Sequence, residues 1–283
     1  MGVMLAPRGV LRALFLSFLF GSAAIAQAAD PALFYFFSPD WRPGNLGLLA
    51  ESVEAIAAQA TTPLRFQAFA RYEDFLEQLH AERPAFLIAP TWVERLGPLT
   101  TDLQPLAMAE RNNKTRYRKA LMTRPEIESL ADLDSGTMAA TIHAMGPAGE
   151  RTVLDAFNLD GSRIRVVPVQ KDIDALLALS FEQVDAALVT SAQFEAHARV
   201  RPTIIRDFHI IGFSPEIDLP VLYRSSSASD DDATNVAQTF VTADDNETGR
   251  RLLALLGLDR FREPTPSTTS EPTSEQPSQE APR

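Results

Sequence analysis

The sequence predicts an α/β fold built from parallel-sheet units. Three observations predict it. Short, continuously apolar runs such as Leu33–Phe37 and Ala85–Ala89 have the pattern of strands buried on both faces. The stretches between them carry helical apolar spacing, so the order over residues 33–89 is strand, helix, strand, helix, strand. A second set of units opens at Tyr117–Thr141, which combines a strand, a short helix and another strand.

Taken in order, Leu33–Phe37 is an aromatic strand ended by Ser38-Pro39-Asp40. Asn45–Ala60 is a helix with Leu46, Leu49, Val53 and Ile56 on one face and Glu51 and Glu54 outside. Leu64–Phe69 alternates as a strand, and Tyr72–Ala81 is a helix with Phe75, Leu76 and Leu79 inward. Ala85–Ala89 is a buried strand ended by Pro90, and Leu103–Ala109 a short strand leading out of the sheet. Glu110–Arg116 is a polar, basic connector. Then follow a strand, Tyr117–Thr123, a turn at Arg124-Pro125 and a short helix on Ile127, Leu130 and Leu133. Gly136, free to adopt the left-handed conformation, ends that helix before a strand from Thr137. Gly149–Asn158 is a helix, Arg163–Val169 a strand, Lys171–Phe181 a helix and Val184–Val189 a buried strand. Thr190 and Ser191 cap the next helix. Thr203–Phe213 is an extended strand and the return path to the first half. Pro220–Arg224 is a strand, and the helices Ala233–Phe240 and Glu247–Leu256 follow, with Gly257 stopping the second.

The chain has 283 residues, of which 45% are apolar and 22% charged, as expected of a folded protein of one large or two ordinary domains. Its formal net charge of -11 argues against a nucleic-acid partner. The absence of cysteine excludes a disulfide framework, a thiolate zinc site, a cysteine nucleophile and a lipoprotein anchor. At the amino end, Arg8 and Arg12 precede the apolar run Ala13–Ala26, and small residues follow at Ala24, Ala26 and Ala28. This is the pattern of a secretory signal peptide cleaved after Ala28, and it implies a periplasmic location. Glu263–Arg283 is rich in Pro, Ser, Thr and Glu, with too few apolar residues to order itself.

In open α/β sheets ligands sit beyond the carboxyl ends of the strands. Here those ends are Ser38–Trp41, Phe69–Tyr72 and Pro90–Trp92, which hold both tryptophans and one of the four tyrosines. Chemistry is poorly served by comparison. None of the four histidines, His80, His143, His197 and His209, lies in a His-Glu-x-x-His pattern, and no Gly-x-Ser-x-Gly turn occurs. The expectation is a binding protein with no catalytic residue, metal or cofactor.

Several phrases resemble the phosphonate-binding type of periplasmic solute-binding proteins of ABC transporters, which have the type II fold. They are Tyr72–Leu79, Phe86–Val93, Tyr117–Thr123 with Ile127–Gly136, Ile173–Phe194, Phe208–Arg224 and Thr248–Phe261. The resemblance covers residues 31–262. It implies two lobes, each a mostly parallel sheet flanked by helices, joined by two hinge strands around a ligand cleft. It divides the chain into a signal peptide at 1–28, a first lobe from 29–109 and 209–262, a second lobe at 110–208 and an acidic tail at 263–283.

By the same resemblance the solute is a small phosphonate-like or other oxyanionic molecule, and the partner is an ABC permease. From the first lobe it nominates Tyr35, Tyr72 and Thr91 as ligand contacts. From the second it nominates Thr141, His143, Asp185, Thr190 and Ser191. The chain departs from the family at Thr141–Glu150. There the family's Ser-Thr-Ser-Gly run is replaced by a stretch that keeps Thr141 and His143 as donors and adds Glu150. A less charged or zwitterionic ligand also suits Met145, Tyr72 and Trp92. This departure and the added tail motivate an alternative, an interaction or sensor-input module for a membrane kinase or enzyme partner.

Overall fold

The apolar runs become the middle strands of two sheets. A computed structural model describes residues 31–39, 45–58, 63–96, 102–161, 163–200 and 208–264. The expected signal peptide, nearly all of the acidic tail and residues 201–207 lie outside the described residues. Among the described residues, no helix is long and apolar enough to cross a membrane, and no group of metal-binding side chains gathers.

The first sheet has six strands in the order β13-β4-β12-β3-β1-β2. These are β1 (Ala32–Phe37), β2 (Leu64–Phe69), β3 (Phe86–Ala89), β4 (Gln104–Glu110), β12 (Val221–Arg224) and β13 (Arg260–Arg262). β2, β1 and β3 run parallel, whereas β12, β4 and β13 pair antiparallel. The second sheet has five strands in the order β10-β6-β9-β7-β8. They are β6 (Lys119–Thr123), β7 (Thr137–Ala140), β8 (Arg165–Pro168), β9 (Ala186–Thr190) and β10 (His209–Phe213). β8, β7 and β9 are parallel, and β6 and β10 antiparallel. Both sheets are therefore mixed. The two-residue strands β5 (Arg116–Tyr117) and β11 (Ile217–Asp218) pair antiparallel and carry the chain between the sheets.

Helices cover both faces of the first sheet. Phe34 and Phe36 of β1 pack with α1 (Leu46–Ala57), α6 (Asp230–Val241) and α7 (Glu247–Leu256). Asn45 caps α1, its side chain accepting from Leu48 N, and Ser229 and Asn246 cap α6 and α7 in the same way. The alternate β1 residues Leu33, Tyr35 and Phe37 pack with α2 (Tyr72–Ala81). That second cluster does not stop at the sheet. It continues through Trp92 into Met138, Ile142, Met145 and Val153 of the other lobe, where α3 (Gly146–Ala156) lies. α4 (Asp172–Ser180) covers the far face of the second sheet, and α5 (Ser191–Val200) follows β9.

Four expectations are corrected here. β10 pairs with β6, so residues 209–213 belong to the second sheet and the return crossing falls after Phe213. The expected short helix is a single 3-10 turn, Leu130–Leu133, closed by a capping box of Ser129 and Asp132. Ser135, not Gly136, takes the left-handed conformation (φ 65°). Gly136 is needed for another reason: a Cβ there would meet the Leu133 carbonyl oxygen at 2.9 Å. Finally, the strand read at Tyr117–Thr123 is divided between β5 and β6.

Asp185 ties β9 to β7. Thr137 donates to it from N (2.8 Å) and Oγ1 (2.9 Å), and Arg124 bridges it at 2.9 Å. Burial pushes this carboxyl up, but the Thr137 hydrogen bonds and the Arg124 guanidinium outweigh that and hold it below its usual 3.8. A depressed folded value stabilises at pH above the unfolded one and is lost as pH falls through the folded one. Asp185→Asn is therefore expected to lower the thermal midpoint at pH 7. The gap from the parent should shrink as acid titration passes below 3.8, as followed by circular dichroism.

Candidate functional site

The carboxyl ends of β1, β2 and β3 face the carboxyl end of β7 and the first turn of α3. Aromatic side chains fill the interval. The rings of Phe37 and Trp92 meet edge to face at 6.0 Å, Tyr72 lies 6.1 Å from Trp92, and Phe37 stacks on Phe75 at 4.6 Å. Tyr72 and Trp92 are 9% and 8% exposed. Burial, and then the neighbouring Glu73 carboxylate, raise the Tyr72 phenol above its ordinary value.

Across the seam stand two glycines of α3. Gly146 has φ +70°, and a Cβ on it would lie 2.5 Å from Tyr72 Cε1 and Cγ. Both the backbone conformation and the ring demand glycine there. A Cβ at Gly149 would lie 3.5 Å from Trp92 Cε2. Met145 (2% exposed) and Ile142 (0%) complete the apolar contact. The indole Nε1–H of Trp92 is buried here without a hydrogen-bond partner.

Two cavities adjoin the cleft. One of about 680 Å³ is bounded by Glu73 of α2 and by His143, Gly146, Glu150, Leu154 and Asp155 of the second lobe. Four acidic residues line it, Glu73, Glu150, Asp155 and Asp160, against one arginine, Arg151. The other, of about 430 Å³, has Pro39 and the Ala254–Gly257 end of α7 on one side. Thr141, Gln170, Lys171, Asp172 and His197 form the opposite side, and Arg111 stands at the hinge. The one carboxylate in that lining, Asp172, is already engaged. It accepts from Thr190 N and Oγ1, both at 2.8 Å, and from Thr141 Oγ1 at 3.4 Å. Arg111 and Lys171 outnumber that carboxylate and give the lining a formal charge of +1 within an acidic chain.

The nominated residues separate into groups. Tyr72 and His143 flank Gly146, and His143 Nδ1 stands 4.0 Å from a Glu150 oxygen. Thr141 and Thr190 meet at Asp172. Thr91 opens the turn Thr91–Arg95, half-buried. Of the other three, Tyr35 and Asp185 lie away from the cleft, and Ser191 is turned to the backbone of a neighbouring strand. Tyr35 is wholly buried in the core, its hydroxyl 3.4 Å from the Glu82 carbonyl. Asp185 precedes β9, at the opposite edge of the sheet, and holds Thr137 and Arg124. Ser191 does not cap α5; its hydroxyl donates to the Arg118 carbonyl at 2.6 Å. Sequence reasoning missed Arg111, Lys171 and Asp172. The available signal was Lys171-Asp172 at a helix start directly after a strand's carboxyl end.

A family model described as "ABC transporter, phosphonate, periplasmic substrate-binding protein" matches residues 46–269. The chain belongs to that family. Its members are periplasmic substrate-binding proteins, and the role of this chain is accordingly solute binding. No curated protein matches it. Among solved structures, a Xanthomonas citri protein bound to ATP aligns at TM-score 0.64 and 15% identity, over 83% of this chain and 91% of that one. A binding-protein component of an ABC phosphonate transporter from Pseudomonas aeruginosa aligns at 0.60 and 17%, over 83% and 82%. PhnD1 from Prochlorococcus marinus in complex with methylphosphonate aligns at 0.61 and 8%, over 82% and 92%. These likenesses are of fold, and they make the type II two-lobed architecture plain.

Gly146→Ala is expected to force the Tyr72 ring away and strain the backbone, costing about 2–6 kcal/mol by the overpacking and positive-φ penalties together. Denaturant midpoints measure it. An unchanged midpoint would mean that the seam tolerates a methyl group there.

Proposed function

We propose that this phosphonate-family binding protein captures a small oxyanionic solute in the cavity lined by Arg111 and Lys171 and delivers it to an ABC permease. The observation that carries the reading is the pairing of two cations with one carboxylate whose oxygens are already committed to Thr190 and Thr141. An anion entering this space meets two cations against one carboxylate, a formal lining charge of +1. The start of α4 adds backbone N–H groups, because its N-cap residue Lys171 offers no side-chain cap. Lys171 supplies a mobile ammonium and Arg111 a planar fork suited to two oxygens. Both lobes line the cavity, so a solute bound there strengthens their closure. Residues 1–28 direct export and are cleaved, which puts the mature chain where such a permease receives its cargo.

A second reading has its own support. The family's hydroxyl run is absent, and an aromatic seam stands beside the helix start that carries it. A protein with its cleft so filled could serve as an input module for a membrane kinase or enzyme partner.

Thermal shift of the full chain with methylphosphonate or inorganic phosphate separates the two. At a concentration of about 100 times Kd, a specific solute adds roughly 2.7 kcal/mol of stability. Lys171→Ala should weaken that binding by about tenfold, the worth of one charge-assisted hydrogen bond, and added salt should weaken it further. If no oxyanion moves the midpoint, transport of oxyanions is wrong.

A further inference from the structure

Arg111 stands on the chain that crosses between the lobes, and a cation there serves a solute only if its place is fixed. A two-residue hairpin fixes it. Arg111 N donates to the Lys114 carbonyl at 2.9 Å, and Lys114 N donates to the Arg111 carbonyl at 3.0 Å. Between them, Asn112 and Asn113 have φ of 52° and 59°. Two successive left-handed residues make the type I′ turn, whose twist suits a hairpin, and asparagine tolerates that conformation better than most side chains.

The hairpin is held in turn by the first lobe. Asp259, between α7 and β13, accepts from Asn112 N at 2.5 Å through its carboxylate, and its own N donates to the Glu110 carbonyl at 2.9 Å. A carboxylate acceptor makes the first of these a charge-assisted bond. The approach to Asp259 starts at Gly257, which ends α7 at φ +66° and lines the same cavity as Arg111. One short passage, 257–259, thus forms part of the cavity wall and grips the turn beside it. Arg260, the next residue, pairs with Glu110 on β4, so the grip is continuous with the first sheet. Lys171, by contrast, is the N-cap residue of α4 in the second lobe.

We propose that Asp259 is a positioning residue for solute capture: its bond to Asn112 N fixes the Arg111 hairpin to the first lobe, so that the two cations reach the solute from different lobes. The proposal rests on the oxyanion reading of the Arg111–Lys171 cavity. An oxyanion that touches both cations then spans the lobes, and holding it requires their closure. The sign of the effect separates this role from a plain electrostatic one. As a charge beside the Arg111 hairpin, Asp259 repels an anion, and its removal would tighten binding. As a positioning acceptor, its removal frees the turn to move and weakens binding.

The test is calorimetric titration of the full chain with methylphosphonate. Asp259→Ala should bind about fivefold more weakly than the parent, the worth of roughly one hydrogen bond, and Asp259→Asn, which keeps an acceptor oxygen, should recover most of that loss. In an Arg111→Ala background the same Asp259→Ala change should cost less than about twofold, because it then positions nothing. Unchanged or tighter binding by Asp259→Ala, or an equal loss in both backgrounds, overturns the positioning role. Binding that falls in Lys171→Ala and Arg111→Ala but not in Asp259→Ala leaves the oxyanion reading standing without it. Should Asp259→Ala fail to fold, hydrogen exchange at the Asn112 amide of the unaltered chain decides: saturating methylphosphonate should slow it about tenfold, and unchanged exchange overturns the proposal. No binding by the parent chain overturns both.

Discussion

The tyrosine ring resting on Gly146 is the contact on which the arrangement of the two lobes depends. Each sheet has its own helices and could bury most of its apolar surface alone. Yet one cluster runs unbroken from Leu33 and Phe37 through Trp92 to Ile142 and Met145. Non-directional apolar attraction pulls the lobes together, and the missing side chain at Gly146 decides how near they come. Polar groups are pushed outward from this seam into two chambers of opposite character, one bordered by Glu73 and Glu150 and the other by Arg111 and Lys171.

Much of the fold is legible in the residues because its central elements carry strong periodicity. Tyr72–Ala81 and Glu247–Leu256 are helices with the bounds the apolar spacing predicts. Continuous runs such as Phe86–Ala89 are strands buried on both faces. What escapes reading is short or set by distant partners. β5, β11 and β13 have two or three residues each, too few to show a period. β10 looks like any extended segment, and only its pairing with β6 assigns it to the second sheet.

The cleft was harder to read for a related reason. Thr141 and Thr190 stand out as hydroxyls at strand ends, but their common acceptor, Asp172, looks like an ordinary acidic residue in a helix's first turn. Arg111 and Lys171 look like solvated loop charges until two lobes enclose them. Asp185 shows the opposite error. Its proximity to β9 was visible, but the direction of that strand puts it at the edge away from the cleft, where it joins Thr137 and Arg124.

At the far end of the first sheet, Glu110 is only 2% exposed and holds Arg260 at 2.6 Å and Arg262 at 3.5 Å. The last strand of the fold is thereby stitched to the strand that leaves for the second lobe. A chain emerging from its amino end completes β6 to β10 as one contiguous block, while β4 waits for β12 and β13. The lobe whose first strand is made first is therefore the last to be finished. Until Arg260 arrives, Glu110 has no cation from the last strand, and the closing of that sheet edge buries its carboxylate and supplies the partner together.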